Sequence, residues 1–145
     1  MTMMDVEMIE GGLHVDERGV VAFCNDFDVS QADRFYTVRS HCTNQIRGWV
    51  GHRVEQKWFI AFSGTIIIAV VQPDDWQSPS RDIVPKKFLL SCLKPSVLHV
   101  PPGHATASVM LTSNAHLGIF STGKIKDAAG DDYRFDTRMW KIPGL

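Results

Sequence analysis

Short runs rich in β-branched and aromatic residues recur along the chain, separated by clusters of Gly, Pro, Asn, Asp and Ser. They fall at 19–27, 34–40, 46–53, 57–62, 65–72, 83–92, 96–100, 107–111 and 115–122. Each reads as a strand, because such side chains pack well on a pleated, half-buried surface. Ser63-Gly64 has the chemistry of a tight hairpin turn between two runs, and Thr112-Ser113-Asn114 reads as a second hairpin loop. Residues 74–80 are the most loop-like interior stretch, and a short helix is expected only near the C-terminus, at 137–141. With turn signals this regular and no long helical period, the pattern predicts an all-β sandwich or barrel. No repeat, linker or low-complexity tract interrupts it, so residues 1–145 are expected to form a single domain.

Charge narrows the function classes. Sixteen acidic residues stand against 15 basic ones, a net charge of -1, which argues against nucleic acid as a partner. A few arginines placed for one small anionic ligand remain compatible with it. The longest apolar run, Thr65-Ile66-Ile67-Ile68-Ala69-Val70-Val71, is far shorter than the ~20 residues of a spanning helix, so no membrane partner is expected. The N-terminal Met1-Thr2-Met3-Met4-Asp5-Val6-Glu7 has acids where a signal peptide carries positive charge. Cys24, Cys42 and Cys92 contain no CxxC spacing, and a reduced, cytoplasmic setting is the expectation.

Two segments carry the chemistry: Ile46-Arg47-Gly48-Trp49-Val50-Gly51-His52-Arg53-Val54-Glu55-Gln56-Lys57-Trp58-Phe59, and His99-Val100-Pro101-Pro102-Gly103-His104-Ala105-Thr106-Ala107. Their order and spacing resemble the two motifs of the cupins, double-stranded β-helix (jelly-roll) barrels. The positions that hold metal ligands in metal-binding cupins fall here on Val50, His52, Lys57 and Thr106. A valine, an ammonium and a hydroxyl at three of them leave no convergent donor set, so no metal and no other cofactor is expected. His104 beside His52, without an acid, makes a poor site.

Arg47-Gly48 at the head of the first motif and Lys57 at its acid position resemble the dTDP-4-dehydrorhamnose 3,5-epimerase and sugar 3,4-ketoisomerase group. Asp16-Glu17-Arg18-Gly19 is similar to that group's opening motif, and Asp131-Asp132-Tyr133-Arg134-Phe135-Asp136 with Trp140-Lys141-Ile142-Pro143 to its ending. The resemblance covers most of the chain. It implies an isomerase that removes a proton next to the carbonyl of a 4-keto-6-deoxy nucleotide sugar, in deoxysugar or surface-polysaccharide synthesis. It also implies a homodimer whose N-terminal strands cross to the partner. The group's base position, however, is Val50, and its acid position falls at Lys124 or Ile125.

Such chemistry needs a base tuned near neutrality, a cation at the developing enolate oxygen, and an acid. His52 lies on the same strand face as Val50 and is the candidate base. Lys57 is the candidate enolate stabiliser, and Tyr133 or Tyr36 the acid. Arg18 and Arg47 would hold the diphosphate through guanidinium forks. Trp49 or Trp140 would stack on a base or sugar, and His104 would line the barrel mouth. Plainer readings stand beside these: Lys57 as a partner of Glu55, Arg18 as a solvated turn residue, Arg47 as the holder of a nearby carboxylate. A non-catalytic nucleotide-sugar-binding cupin is the alternative function, and a metal-dependent cupin enzyme is disfavoured by the ligand count.

Overall fold

The computed structural model describes residues 5–145; residues 1–4, part of the acidic stretch read for targeting, lie outside it. Two five-stranded antiparallel sheets face one another. In spatial order the first contains β1 (Glu7–Glu10), β9 (Ser96–Val100), β6 (Lys57–Ser63), β11 (His116–Ser121) and β4 (Arg34–Val38). The second contains β12 (Tyr133–Arg134), β5 (Ile46–His52), β10 (His104–Met110), β7 (Thr65–Val71) and β8 (Lys86–Ser91). β2 (Gly12–Asp16) and β3 (Gly19–Phe23) pair only with each other. The expected jelly-roll barrel is therefore present.

The chain crosses between sheets at almost every turn, and this corrects two expectations. Ser63-Gly64 does not close a hairpin: β6 pairs with β11 and β9, whereas β7 pairs with β10 and β8. It is a corner between sheets. Gly64 takes φ +72 there, and a Cβ would run into Thr112 and Ala115. Thr112-Ser113-Asn114 likewise carries the chain from β10 in one sheet to β11 in the other. Turn chemistry reports that a chain reverses; it does not report which sheet receives the next strand.

Ile66, Ile68, Val70, Leu90, Leu98 and Leu117 fill the space between the sheets. The second sheet is buried on its outer face too, where Trp49, Ala69, Val71, Ala105, Val109, Trp140 and Ile142 form another cluster beneath the C-terminal tail. Burial on both faces explains why β7 is a continuous apolar run rather than an alternating one. Trp140 anchors the tail, its Nε1–H donating to the Ser80 carbonyl at 2.8 Å. Residues 137–141 form turns and bends rather than the expected helix; the described helical residues are two 3-10 segments, Val29–Gln31 and Ile125–Asp131. Among the described residues no helix is long and apolar enough to cross a membrane.

Candidate active site

Toward one end of the barrel the core gives way to a cavity of about 560 Å³, within the usual size range of small-ligand sites. Strand parity decides what enters it. On the first sheet, β4 and β6 both pair with β11, setting Arg34, Ser121 and Lys57 in one row and Tyr36, Ile119 and Phe59 in the next. Arg34, Tyr36, Lys57 and Phe59 line the cavity. On the second sheet, Val50 faces Thr106 and His52 faces His104 across β5 and β10. The two cupin ligand positions Val50 and Thr106 are thus neighbours in the wall.

A register break in β5 changes that parity. Thr106 opposes Val50 but Ala107 opposes Gly48, so Trp49 is the extra residue of a bulge. Gly48 has φ +155, and a Cβ on it would come within 2.6 Å of the Ala107 Cβ. Below the bulge Arg47 joins the lining, while Ile46 packs in the outer cluster. The Trp49 side chain also goes outward. Its indole is 1% exposed and packs edge-to-face on Trp140 at 5.3 Å, so Trp49 borders the cavity without offering a free ring face, and Trp140 lies outside the lining.

The same parity separates two other expected residues. Tyr133 is the Cα partner of Gly51 and Arg134 that of Val50. Arg134 therefore lines the cavity, while Tyr133 packs against Trp76 at 5.0 Å on the outer face. Tyr36 is the tyrosine the cavity holds, and Ile125 supplies no acid there. His104 is buried outside the lining; its Nδ1 lies 2.9 Å from the Pro101 carbonyl, which can only accept. Arg18 sits at the β2–β3 tip, its guanidinium donating to Asp16 at 2.7 Å, away from the cavity of its own chain. His52, Lys57, Arg47 and Tyr36 are the sequence-predicted side chains brought together.

His52 closes the end of β5, where two segments meet it. Its Nδ1 lies 2.7 Å from the Asp131 carbonyl oxygen, so Nδ1 carries the proton and donates. Nε2 is buried without a hydrogen-bond partner. Burial first, and then the Lys57 ammonium, hold the imidazole below its ordinary pKa; Glu55 and Asp131 pull less strongly the other way. The ring is therefore neutral at pH 7, with its lone pair on Nε2. Lys57 makes no ion pair among the described residues; its Nζ lies 5.7 Å from the centre of the Tyr36 ring. Glu55, the partner expected for it, binds Arg34 instead at 2.9 Å.

Sequence reasoning missed Arg34, Glu55, Ser121, Asp131 and Arg134. Arg34 was findable, since Arg34, Tyr36 and Val38 alternate along one face of β4. Glu55 and Asp131 sit in turns that carry no period. Together with His52 they bring donor atoms within 4.8 Å of one another. These atoms are already committed, however. The Asp131 carboxylate accepts the backbone N–H groups of Arg53, Val54 and Glu55, and that of Glu55 accepts from Arg34 and the Ser121 hydroxyl. N–H donors, a guanidinium and the Lys57 ammonium surround the cluster, which does not fit a cation. Across the lining, Arg34, Arg47, Lys57 and Arg134 outnumber Glu55 and Asp132, which suits an anionic ligand.

No protein-family model and no curated protein matches the sequence. Solved structures do match the fold. The 3,4-ketoisomerase QdtA of Thermoanaerobacterium thermosaccharolyticum, in complex with TDP, aligns over 92% of this chain and 90% of its own, with TM-score 0.68 and 17% identity. The rmlC epimerase of Mycobacterium tuberculosis aligns over 99% and 79%, with TM-score 0.73 and 15% identity. The 3'-monoepimerase ChmJ of Streptomyces bikiniensis, in complex with dTDP-quinovose, aligns over 94% and 72%, with TM-score 0.74 and 16% identity. The chain thus has the cupin jelly-roll fold of the nucleotide-sugar epimerases and ketoisomerases.

Proposed function

We propose that this chain is a metal-independent epimerase or ketoisomerase acting on a 4-keto-6-deoxy nucleotide sugar. One observation carries the reading: His52, its Nε2 buried without a hydrogen-bond partner among the described residues, lies beside Lys57 and Tyr36 in a cavity of cationic excess. His52 Nε2 takes a proton from the carbon next to the carbonyl. The electron pair moves onto the carbonyl oxygen, where the Lys57 ammonium stabilises the enolate. Tyr36, rather than Tyr133, returns a proton to the carbon framework. Arg47 and Arg134 take the diphosphate.

Similar structures support the substrate class. A histidine-to-asparagine mutant of QdtA was crystallised in complex with TDP-4-keto-6-deoxyglucose. Val50 cannot act as a base, and His52 lies one pleat repeat further along, roughly 6.6–6.8 Å. Proton removal is therefore confined to a single carbon, without double epimerisation. A dimer belongs to the same reading: a two-stranded hairpin is marginal alone, and β2–β3 exposes Leu13, Val15, Val20 and Phe23. Seated on a second copy, that hairpin would bury them. Nothing in the lining requires a setting other than the cytoplasm, and all three cysteines are free.

The test is solvent deuterium exchange into a TDP-4-keto-6-deoxy sugar. Wild type should exchange at one carbon, and His52→Ala should lose ~10²–10⁴-fold, the range expected of a general base. Lys57→Ala should lower turnover more than binding. Clear TDP-sugar binding without exchange would overturn the enzymatic reading.

A further inference from the structure

The turn that follows β5 gathers groups the proposed chemistry does not use. Glu55 is 7% exposed, and its two oxygens have different partners. Oε1 accepts from the Arg34 guanidinium at 2.9 Å and from the Ser121 hydroxyl, so it is tied to the first sheet. Oε2 lies 3.4 Å from His52 Nδ1, three residues back on the second sheet. The Glu55 backbone N–H donates to Asp131 at 2.8 Å, which fixes where the side chain starts. The Asp131 carbonyl at 2.7 Å already takes the Nδ1 proton, so the Glu55 carboxylate, at 3.4 Å, acts on the ring through its charge and favours the protonated imidazole.

We propose that Glu55 is a positioning residue for His52: with the Asp131 carbonyl already accepting from Nδ1, the Glu55 carboxylate acts on the ring by its charge and sets how strongly Nε2 takes a proton, while Arg34 and Ser121 set how much of that charge the ring feels. The inference rests on His52 being the base. The charged and titratable groups around the ring are Glu55 on its own turn, Lys57 from β6, Arg34 from β4, Asp131 and Asp132 from the segment above, and His104 opposite on β10. Glu55 brings a carboxylate oxygen to 3.4 Å from Nδ1; Asp131 presents its carbonyl at 2.7 Å and a carboxylate oxygen within 4.8 Å of the ring. Removing the Glu55 charge disfavours the imidazolium, so the His52 midpoint falls. Removing the Ser121 hydroxyl frees Oε1 from one donor and turns more charge on the ring, so the midpoint rises.

The experiment reads the 15N shifts of the imidazole in the full-length protein without ligand, from about pH 4.5 to 8, with His52→Asn assigning the signal. Glu55→Gln should lower the midpoint by roughly one pH unit and leave the Nδ1–H tautomer, held by the Asp131 carbonyl, in place. Glu55→Asp should restore part of the shift, and Ser121→Ala should raise the midpoint by a few tenths. With a keto-sugar substrate, Glu55→Gln should lower kcat by about 10-fold with KM little changed. An unchanged midpoint in Glu55→Gln would overturn the proposal. Where that variant does not fold, an unchanged midpoint in the near-isosteric Ser121→Ala overturns it instead. Shifts as expected in a wild type that shows no isotope exchange would support Glu55's hold on His52 and retire the enzymatic reading alone.

Discussion

Asp131 sets up a perturbation whose size can be worked from the structure. Its carboxylate accepts three backbone N–H groups, from Arg53 at 2.7 Å, Val54 at 3.0 Å and Glu55 at 2.8 Å. These bonds tie the 53–55 turn directly to the 3-10 segment. Hydrogen bonds to a charged acceptor contribute ~1.5–3 kcal/mol each. Arg53 and Val54 are exposed, so water replaces their acceptor in a truncated variant; the Glu55 N–H, on a buried residue, is less easily rehydrated. Two bonds at well under the low end and one at full value give ~3 kcal/mol for Asp131→Ala. In a chain of 145 residues that corresponds to a fall in Tm of about 10 °C.

Asp131→Asn discriminates geometry from bulk. The amide keeps one acceptor oxygen but turns donor hydrogens toward backbone donors, so it should lose about half as much as alanine. Calorimetry gives the Tm, and amide hydrogen exchange resolved at residues 53–55 gives the location. Protection should drop there first, before β5 or β6 loosens. Both variants melting within about 1 °C of wild type, with the three amides unchanged, would refute the clamp and with it the account of how Glu55 and His52 are held.

Two further outcomes follow from the same geometry. Arg47→Ala should weaken TDP binding by about 10- to 100-fold in titration calorimetry, the loss of one charge-assisted contact of ~1.5–3 kcal/mol, at nearly unchanged Tm; equal affinity would make Arg47 a structural residue. His52 and His99 are both held below their ordinary value of 6.5 chiefly by burial; the unfolded chain then binds more protons, so stability is full above about pH 6.5 and declines as pH falls from there through the folded midpoints. A Tm that stays flat or rises between about pH 7 and 5 would contradict this, and His52→Asn should flatten the decline.

The strands were legible because burial writes itself into period-2 and continuous apolar runs. Every run read as a strand contains one, with ends shifted by a few residues; Ile83, for instance, joins the outer cluster ahead of β8. β1 and β2, with the sequences EMIE and GLHVD, were too short and polar to read. Which sheet each strand joins was not legible, because Gly64 and the 112–114 cluster signal reversal whatever lies beyond. The site divides along the same line. Lys57 and His52 follow from alternation. Trp49 and Tyr133 do not, because a one-residue bulge and a two-residue edge strand decide their face. Asp131 and Glu55 lie 76 residues apart in turns, joined by hydrogen bonds that leave no periodic trace.

Placing the proposed base at His52 rather than at the Val50 position changes more than its depth. Val50 sits mid-strand, flanked by Thr106 on β10 and Arg134 on β12, so its surroundings are dictated by the two ladders. His52 is the last residue of β5. There the ring is reached by groups that no ladder supplies: the Asp131 carbonyl from the cap segment and the Glu55 carboxylate from the turn. A base in mid-sheet has its environment fixed by pairing that must exist for the barrel to fold. A base at the strand end has its environment fixed by a turn and a cap, held chiefly by the Asp131 carboxylate and the Arg34–Glu55 pair. Proton affinity at His52 can then be changed by substitutions that leave every strand pairing intact. In this cavity the scaffold and the surroundings of His52 are separable, because they rest on different hydrogen bonds.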